Sequence, residues 1–472
     1  MNKIKKIAII LLIFFSCITI TNAKNIFELD WKTEDYTLEF ITGITDYNTR
    51  NIEFNDGYVT TQVEETEEGL LSSYITQYDY DGKEIKKVKI GGGVFLDIVT
   101  DGTYLYTLAG FGDSISLVKL DNNFDIVKEY AFSKEISIGI WDMFYSEVPL
   151  SGLNLLSVTE DGIGIIYVDY DMIFVTNDFA THSYVTYDED ILKKYFPELY
   201  GLEGQPLTDV YYYNYKTNNE YIVLSGIVPN ECLTTSTECE YDSTAIMTLQ
   251  DKNGEELWSK EYTEYKEFLN TILIDDYIVT IGVKDLNDLA PSAILVMDYD
   301  GNILQTIENE NSYYYLRASS KGLIVTNYQE SLNTGNDGIT KINSITTSTE
   351  VYQLIYQIEA LIAGKGQIKV VETSKSGETV KVTLIPDEGY TLGKITVTDK
   401  VGNKIVYKDG EFTMPSANVT IEVEFIGERE DNPLNQEENP ETSDITIISL
   451  IGISIIGGTA FIISKRKLAW LK

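Results

Sequence analysis

The chain is poor in the side chains that most often carry chemistry. Its 472 residues include one histidine, His182, three cysteines, nine prolines and four arginines, Arg50, Arg317, Arg429 and Arg466. A Ser-His-Asp or Cys-His arrangement would have to be built on that single histidine, and a histidine-rich tetrahedral zinc site lacks its ligands. Four arginines are too few for a site that clamps carboxylates between several guanidinium groups. Positive charge is scarce as a whole: 36 Lys plus Arg stand against 74 Asp plus Glu, a formal net charge of −38. A surface that tracks phosphates needs a basic face, so nucleic-acid binding is excluded. No GxxxxGK[ST] phosphate loop occurs either. What remains open is carboxylate chemistry, calcium binding and aromatic recognition, the last served by 34 tyrosines.

The two ends carry the long apolar runs. Lys3, Lys5 and Lys6 precede the run Ile7 to Phe15 and the small-residue site Thr21-Asn22-Ala23, so residues 1–23 read as a secretory signal peptide cleaved after Ala23. An uncleaved anchor helix and a lipoprotein attached through Cys17 are the competing readings. Residues 445–463 form a second apolar run, long enough for a transmembrane helix, with Lys465-Arg466-Lys467 behind it to hold that end in the cytoplasm. Just before it stand Asn439, Pro440, Glu441, Thr442 and Ser443. This order of polar pentapeptide, apolar span and basic tail resembles the cell-wall sorting signal of Gram-positive surface proteins, usually LPxTG with NPxTG variants. The resemblance implies that a sortase cuts between Thr442 and Ser443 and joins Thr442 to the cell-wall precursor, a peptidoglycan anchor. Asn439 in place of Leu and Ser443 in place of Gly depart from the usual form, and a plain C-terminal membrane anchor is the alternative. Both readings place the chain at the cell surface, extracellular, with the membrane as partner of its C-terminal helix.

Between those ends, residues 24–359 read as one domain that from about Asp46 to Glu359 repeats a theme of short alternating strands closed by Asp, Asn and Gly turns. Six units of two hairpins can be aligned, for example 95–110 with 115–132 and 268–283 with 293–309. A four-stranded unit recurring about every 40 to 50 residues is the mark of propeller blades. A lone blade leaves both faces bare, whereas a ring of blades packs face against face. The expected fold is therefore mainly β, a β-propeller of about six four-stranded blades, with Trp31 to Phe40 completing the last blade. Seven blades or a β-sandwich array are the other arrangements the spacing permits, and no WD, kelch or sialidase Asp-box signature is present. Two insertions break the period: 188–207, with a short helix ended by Pro197, and a hairpin tip carrying Cys232 and Cys239. In an exported chain that pair reads as a disulfide, with free thiols the alternative.

Residues 360–426 change register. Gly364 to Gly366, SGETVKVTLIPDEGY at 376–390, the Gly402-Asn403 turn and FTMPSANVTIEVEF at 412–425 resemble the divergent internalin-B-type repeat of bacterial surface proteins. The resemblance implies a small β-rich spacer or adhesion unit without catalysis. The residues agree, since Val380, Val382 and Leu384, then Val419, Ile421 and Val423, alternate with polar neighbours. Residues 427–438 are an acidic linker that reaches at most about 40 Å, and 439–472 are the sorting signal.

Asp79-Tyr80-Asp81-Gly82 and Asp298-Tyr299-Asp300-Gly301 invite a calcium reading, but their spacing is not that of an EF-hand, and they read as hairpin turns. Calcium at another loop is the one cofactor left open; no other cofactor and no metal ligand set is indicated. The tyrosine runs at 211–213 and 313–315 fall near the first strands of their units, where a propeller lines its centre. Tyr211, Tyr213, Tyr313 and Tyr315, with Trp141 and Arg317 as neighbours, are the candidate ligand-binding residues, because a rigid apolar ring with one hydroxyl suits sugars and peptides. Packing between blades is the competing reading of the same runs. The expected function is non-catalytic binding of an extracellular glycan or protein. A surface polysaccharide hydrolase or lyase needs only two suitably placed carboxylates and is the alternative, and a structural wall component is a third.

Overall fold

Short apolar runs alternate with Asp, Asn and Gly turns over most of the chain, and almost every run becomes a strand. The computed structural model describes residues 25–427 except 40–48, 66–70, 145–153, 168–170, 187, 197–210, 230–242, 286–291, 309–311 and 335–339. The expected signal peptide, the expected Cys232–Cys239 disulfide, the expected sorting signal and the expected transmembrane helix at 445–463 lie outside the described residues. Among the described residues no helix is long and apolar enough to cross a membrane.

The N-terminal strands are β1 (Phe27–Lys32) and β2 (Tyr36–Glu39). Five discrete four-stranded antiparallel sheets then follow as propeller blades. The first holds β3 (Asn51–Glu53), β4 (Gly57–Glu65), β5 (Leu71–Asp79) and β6 (Glu84–Gly92), and the second β7 (Val94–Thr100), β8 (Leu105–Phe111), β9 (Ser114–Leu120) and β10 (Ile126–Ala131). Helix α1 (Lys134–Phe144) leads to β11 (Leu156–Val158), β12 (Gly162–Ile166), β13 (Met172–Thr176) and β14 (His182–Val185). After α2 (Glu189–Tyr195) come β15 (Tyr211–Thr217), β16 (Tyr221–Pro229), β17 (Ser243–Asp251) and β18 (Glu256–Tyr262). The fifth holds β19 (Glu267–Ile274), β20 (Tyr277–Val283), β21 (Ser292–Met297) and β22 (Ile303–Glu308).

The next repeat corrects the expectation of about six four-stranded blades. Its strands β23 (Ser312–Ser319), β24 (Gly322–Thr334) and β25 (Thr340–Ala363) join β1 within an eight-stranded sheet that continues into the C-terminal module. The reason is β25, a strand of 24 residues. Its first part pairs with β24 and β1, and its last part enters the module. There follow β26 (Gly366–Lys369), β27 (Thr373–Lys375), β28 (Thr379–Lys381), β29 (Thr383–Pro386), β30 (Tyr390–Asp399), β31 (Glu411–Thr413) and β32 (Val419–Gly427). Strand β32 lies between β25, parallel to it, and β30, antiparallel to it.

In each blade the fourth strand is the exposed one: β7 is buried over Val94–Ile98, whereas β10 is almost wholly exposed. First strands of successive units also touch one another, β3 with β7 and β23, β7 with β11, β15 with β19, and β19 with β23. The first strands therefore surround the centre. Apolar clusters fill the gaps between units, such as Val59, Ile75, Phe95 and Ile98 between the first and second, and Val223, Met247, Phe268 and Leu295 between the fourth and fifth. Tyr58, Ile324 and Val351 join the first blade to the last repeat. At roughly 25 cal/mol per Å² of buried apolar surface these seams dominate the stability of the ring.

One joint recurs. Trp258 on β18 donates from Nε1 to the carbonyl of Tyr299 in the next blade at 2.9 Å, and Trp31 on β1 donates to the carbonyl of Tyr80 in the first blade at 3.1 Å. Both rings lie on the glycine of a Tyr-Asp-Gly turn: a Cβ at Gly301 would sit 2.9 Å from Trp258, and one at Gly82 2.6 Å from Trp31. Strands β10 and β22 reach forward with a polar side chain instead, Lys128 to the carbonyl of Asp178 at 2.7 Å and Gln305 to the backbone N–H groups of Ile26 and Phe27.

Helix α1 is not among the sequence expectations, although Ile136, Ile140 and Phe144 recur in it at helical spacing. Ser133 starts it, accepting from the backbone N–H of Ile136 at 3.4 Å, in the manner of an N-cap. The helix expected before Pro197 is α2.

Candidate functional site

Antiparallel connection gives the propeller two unlike faces. Links from first to second and from third to fourth strands, such as 54–56, 80–83, 101–104 and 275–276, are all tight turns on one face. Links from second to third strands, and from each unit to the next, emerge on the other; they include 132–155, 186–210 and 230–242. Long loops set on a rigid scaffold are where binding residues gather.

The turn face is built from one repeated device. In the turns at Asp79, Asp121, Asp251 and Asp298, the aspartate Oδ1 accepts the backbone N–H groups two and four residues on, at 2.8 to 3.0 Å. The carboxylates of the Asp79 and Asp298 turns are thus engaged by their own backbone, as hairpin turns require. Backbone donation, first from Glu255, holds the Asp251 carboxyl below its usual range. Among the described residues no group of three or more His, Cys, Asp or Glu is placed to hold a metal ion.

At the centre, the two arginines of the propeller converge. Asp97 on β7 is fully buried; its Oδ1 accepts from the backbone of Ile98 at 2.8 Å and its Oδ2 from that of Leu156 at 2.9 Å. Arg50 Nε lies 4.0 Å from Asp97 Oδ1, and an Arg317 terminal nitrogen lies 3.5 Å from it. Arg317 also donates to the carbonyl of Ile98 at 3.1 Å, to Asn154 Oδ1 at 2.9 Å and to the Tyr315 hydroxyl. Tyr315 donates to Asn154 Oδ1 at 2.7 Å, and its ring faces both guanidinium groups, 4.6 Å from Arg50 and 4.9 Å from Arg317. Desolvation pushes the Tyr315 hydroxyl well above its ordinary pKa. Four units meet at this cluster. Two cations share one anion, as a low-dielectric interior tolerates only with hydrogen bonds satisfying the surplus charge. Both oxygens of Asp97 accept backbone N–H groups, one of them from the next blade, so the cluster ties blades together.

The expected ligand residues distribute as follows. Tyr211, Tyr213, Tyr313, Tyr315 and Arg317 all lie on first strands, β15 and β23, which begin at the loop face. The side chains of Tyr211, Tyr213 and Tyr313 lie outside what the structure describes. Tyr315 is buried, only 1% exposed, and serves the central cluster. Trp141, on α1, stands on the loop face and packs on Gly110, where an added Cβ would come within 2.5 Å of its ring. His182 is exposed on β14, its Nδ1 2.6 Å from the Tyr130 hydroxyl.

Arg50, Asp97 and Asn154 were not picked out by sequence reasoning. A signal existed: first strands bulge at one place, between Phe95 and Asp97, Tyr212 and Asn214, Phe268 and Thr271, and Tyr313 and Tyr315. An aromatic residue, a bulky residue and a polar residue thus recur, Phe95-Leu96-Asp97, Tyr212-Tyr213-Asn214 and Phe268-Leu269-Asn270, and the bulge re-aims the side chain that follows. The tyrosine runs are members of this series.

The C-terminal module sits on the turn face. Strand β25 reaches that face at Gln353, and beyond it Tyr356 donates to Asp275 at 3.2 Å while Lys400 pairs with Asp276 at 2.5 Å, both aspartates in the first turn of the fifth blade. Lys375 pairs with Asp30 of β1 at 2.6 Å. Phe27, Leu316, Tyr352, Ile358, Val380, Val397 and Val423 belong to one apolar cluster that crosses the junction.

Residues 356–428 match the family model of the divergent InlB B-repeat domain. No curated protein matches the chain. Among solved structures, the chain is similar to BamB from Moraxella catarrhalis, 10% identical, over 68% of this chain and 97% of that one, with a TM-score of 0.31. A member of the DUF4221 family from Bacteroides vulgatus is 10% identical over 70% and 99%, TM-score 0.33. A subtype N10 neuraminidase-like protein of A/little yellow-shouldered bat/Guatemala/060/2010 is 10% identical over 69% and 100%, TM-score 0.30. At such TM-scores these likenesses carry no argument about activity.

Proposed function

We propose that the chain is a tethered cell-surface binding protein of a Gram-positive-type bacterium, which displays the loop face of its propeller to an extracellular glycan or protein. In this reading the strands β23, β24, β25 and β1 count as a sixth blade, the signal peptide exports the chain, and sortase joins Thr442 to the cell wall. The carrying observation is the position of the B-repeat: it is docked against the turn face, so a tether attached beyond Gly427 leaves the opposite face, where second strands pass to third strands, turned outward. A hydrolase draws no comparable support. The buried carboxylates among the described residues, Asp97 and Glu350, belong to separate clusters, Glu350 accepting from Tyr352 at 2.6 Å.

The test is retention of glycans and extracellular proteins by purified residues 24–432, with and without calcium. A polyethylene glycol adduct on Asp113→Cys, at a loop-face hairpin tip, is expected to abolish retention, while one on Lys252→Cys, on the turn face, leaves it intact. The opposite pattern, or cleaved products, would overturn the reading. The tether is tested apart from it: Thr442→Ala should move the protein from the wall fraction to the membrane fraction.

A further inference from the structure

The last strand of the described chain is placed in a mechanically specific way. Strand β32 runs parallel to the end of β25, with six register pairs from Ile358↔Val419 to Ala363↔Glu424. The propeller holds β25 by its N-terminal part, and the chain leaves the repeat from the C-terminal end of β32. A load between propeller and tether therefore draws the two parallel strands past each other along their length. Inter-strand hydrogen bonds lie across that direction, so they are loaded together rather than one after another. Strand β32 is gripped on its other side as well, by nine pairs to β30 from Tyr390↔Gly427 to Asp399↔Val419. Slippage must also drag Val419, Ile421, Val423 and Phe425, all at most 3% exposed, out of the core.

We propose that the B-repeat is a load-bearing shear clamp, with β25 and β32 as its jaws, that holds the propeller against a pull from its C-terminal side. This rests on the tethered reading for its biological setting, but its geometry does not. The lateral contacts at the junction, Lys375 with Asp30 and Lys400 with Asp276, brace β25 so that the load enters along the strand.

Single-molecule force spectroscopy on residues 24–438 tests it with one handle at the C-terminus and the second in either of two places. A handle at Asn336, in the connection from β24 to β25, makes the covalent path run straight along β25, so the repeat is the fold under load. A handle at Glu388, beside the start of β30, pulls apart the end where Tyr390 faces Gly427 and opens that pair like a zipper. At equal loading rate the first geometry is expected to need at least twofold more force. It should release in one step the chain from 358 to 427, close to ~240 Å at ~3.4 Å per residue less the folded span. Equal or lower force in the first geometry, or release in several small steps, would overturn the clamp. The measurement involves neither wall nor ligand, so its failure is distinct from a failed Thr442→Ala or retention experiment.

Discussion

Asp97 is the residue on which the centre of the propeller turns. Its replacement by Asn keeps the shape but removes the carboxylate that the buried Arg50 and the half-buried Arg317 share, so a loss of about 3 to 5 kcal/mol is expected. Urea unfolding of Asp97→Asn checks this, and a loss under about 1 kcal/mol would mean that the guanidinium groups are neutralised elsewhere. Ser374 Oγ donates to Glu378 at 2.7 Å and the Lys375 backbone at 3.0 Å, and these bonds hold its carboxyl below the usual value of 4.5. Asn403 does the same for Asp399, whose usual value is 3.8. A carboxyl depressed in the folded state contributes stability above its unfolded pKa and loses it as pH falls through the folded one. Melting temperature is therefore expected to fall on acidification below about pH 4.5, less steeply in Glu378→Gln. Identical pH profiles would remove Glu378 from the account.

At the level of elements, the Trp-on-glycine joint separates two costs that substitutions usually mix. Gly82 and Gly102 both have positive φ, +79° and +85°, but only Gly82 lies under an indole; nothing stands within 4 Å of a Cβ at Gly102. Gly102→Ala should cost about 1 kcal/mol for the backbone alone. Gly82→Ala should cost clearly more, because Trp31 must shift from Tyr80; equal losses in thermal melts would show the joint to be idle. The joint also marks how far the sequence could be read. Strand runs and Asp-Gly turns were legible because period and turn chemistry are local, and the B-repeat was legible because its motif residues are contiguous. The partnership of Trp31 with a turn 50 residues on, and of Arg50 with Arg317 across the ring, depends on contacts that no local pattern encodes. Of the tyrosine runs only Tyr315 has a described side chain among the candidate ligand residues, and it follows the competing reading of packing between blades, buried against two guanidinium groups. The loss of equality in the last repeat was hidden too, since a sequence does not announce that one strand serves two sheets.

For the whole molecule, that shared strand makes the propeller and the B-repeat one cooperative body. Ending the chain at 359 would strip Tyr356 and Ile358 of their partners Val380, Val397 and Val423 and remove the grip of Lys375 on β1. Calorimetry of residues 24–427 is expected to show a single transition, and residues 24–359 to melt at least several degrees lower; two separable transitions in the longer chain would refute the coupling. Continuity of β25 has a hydrodynamic consequence as well. A dye on the repeat and a dye on the propeller should report one and the same rotational correlation time, because the strand leaves no swivel between them.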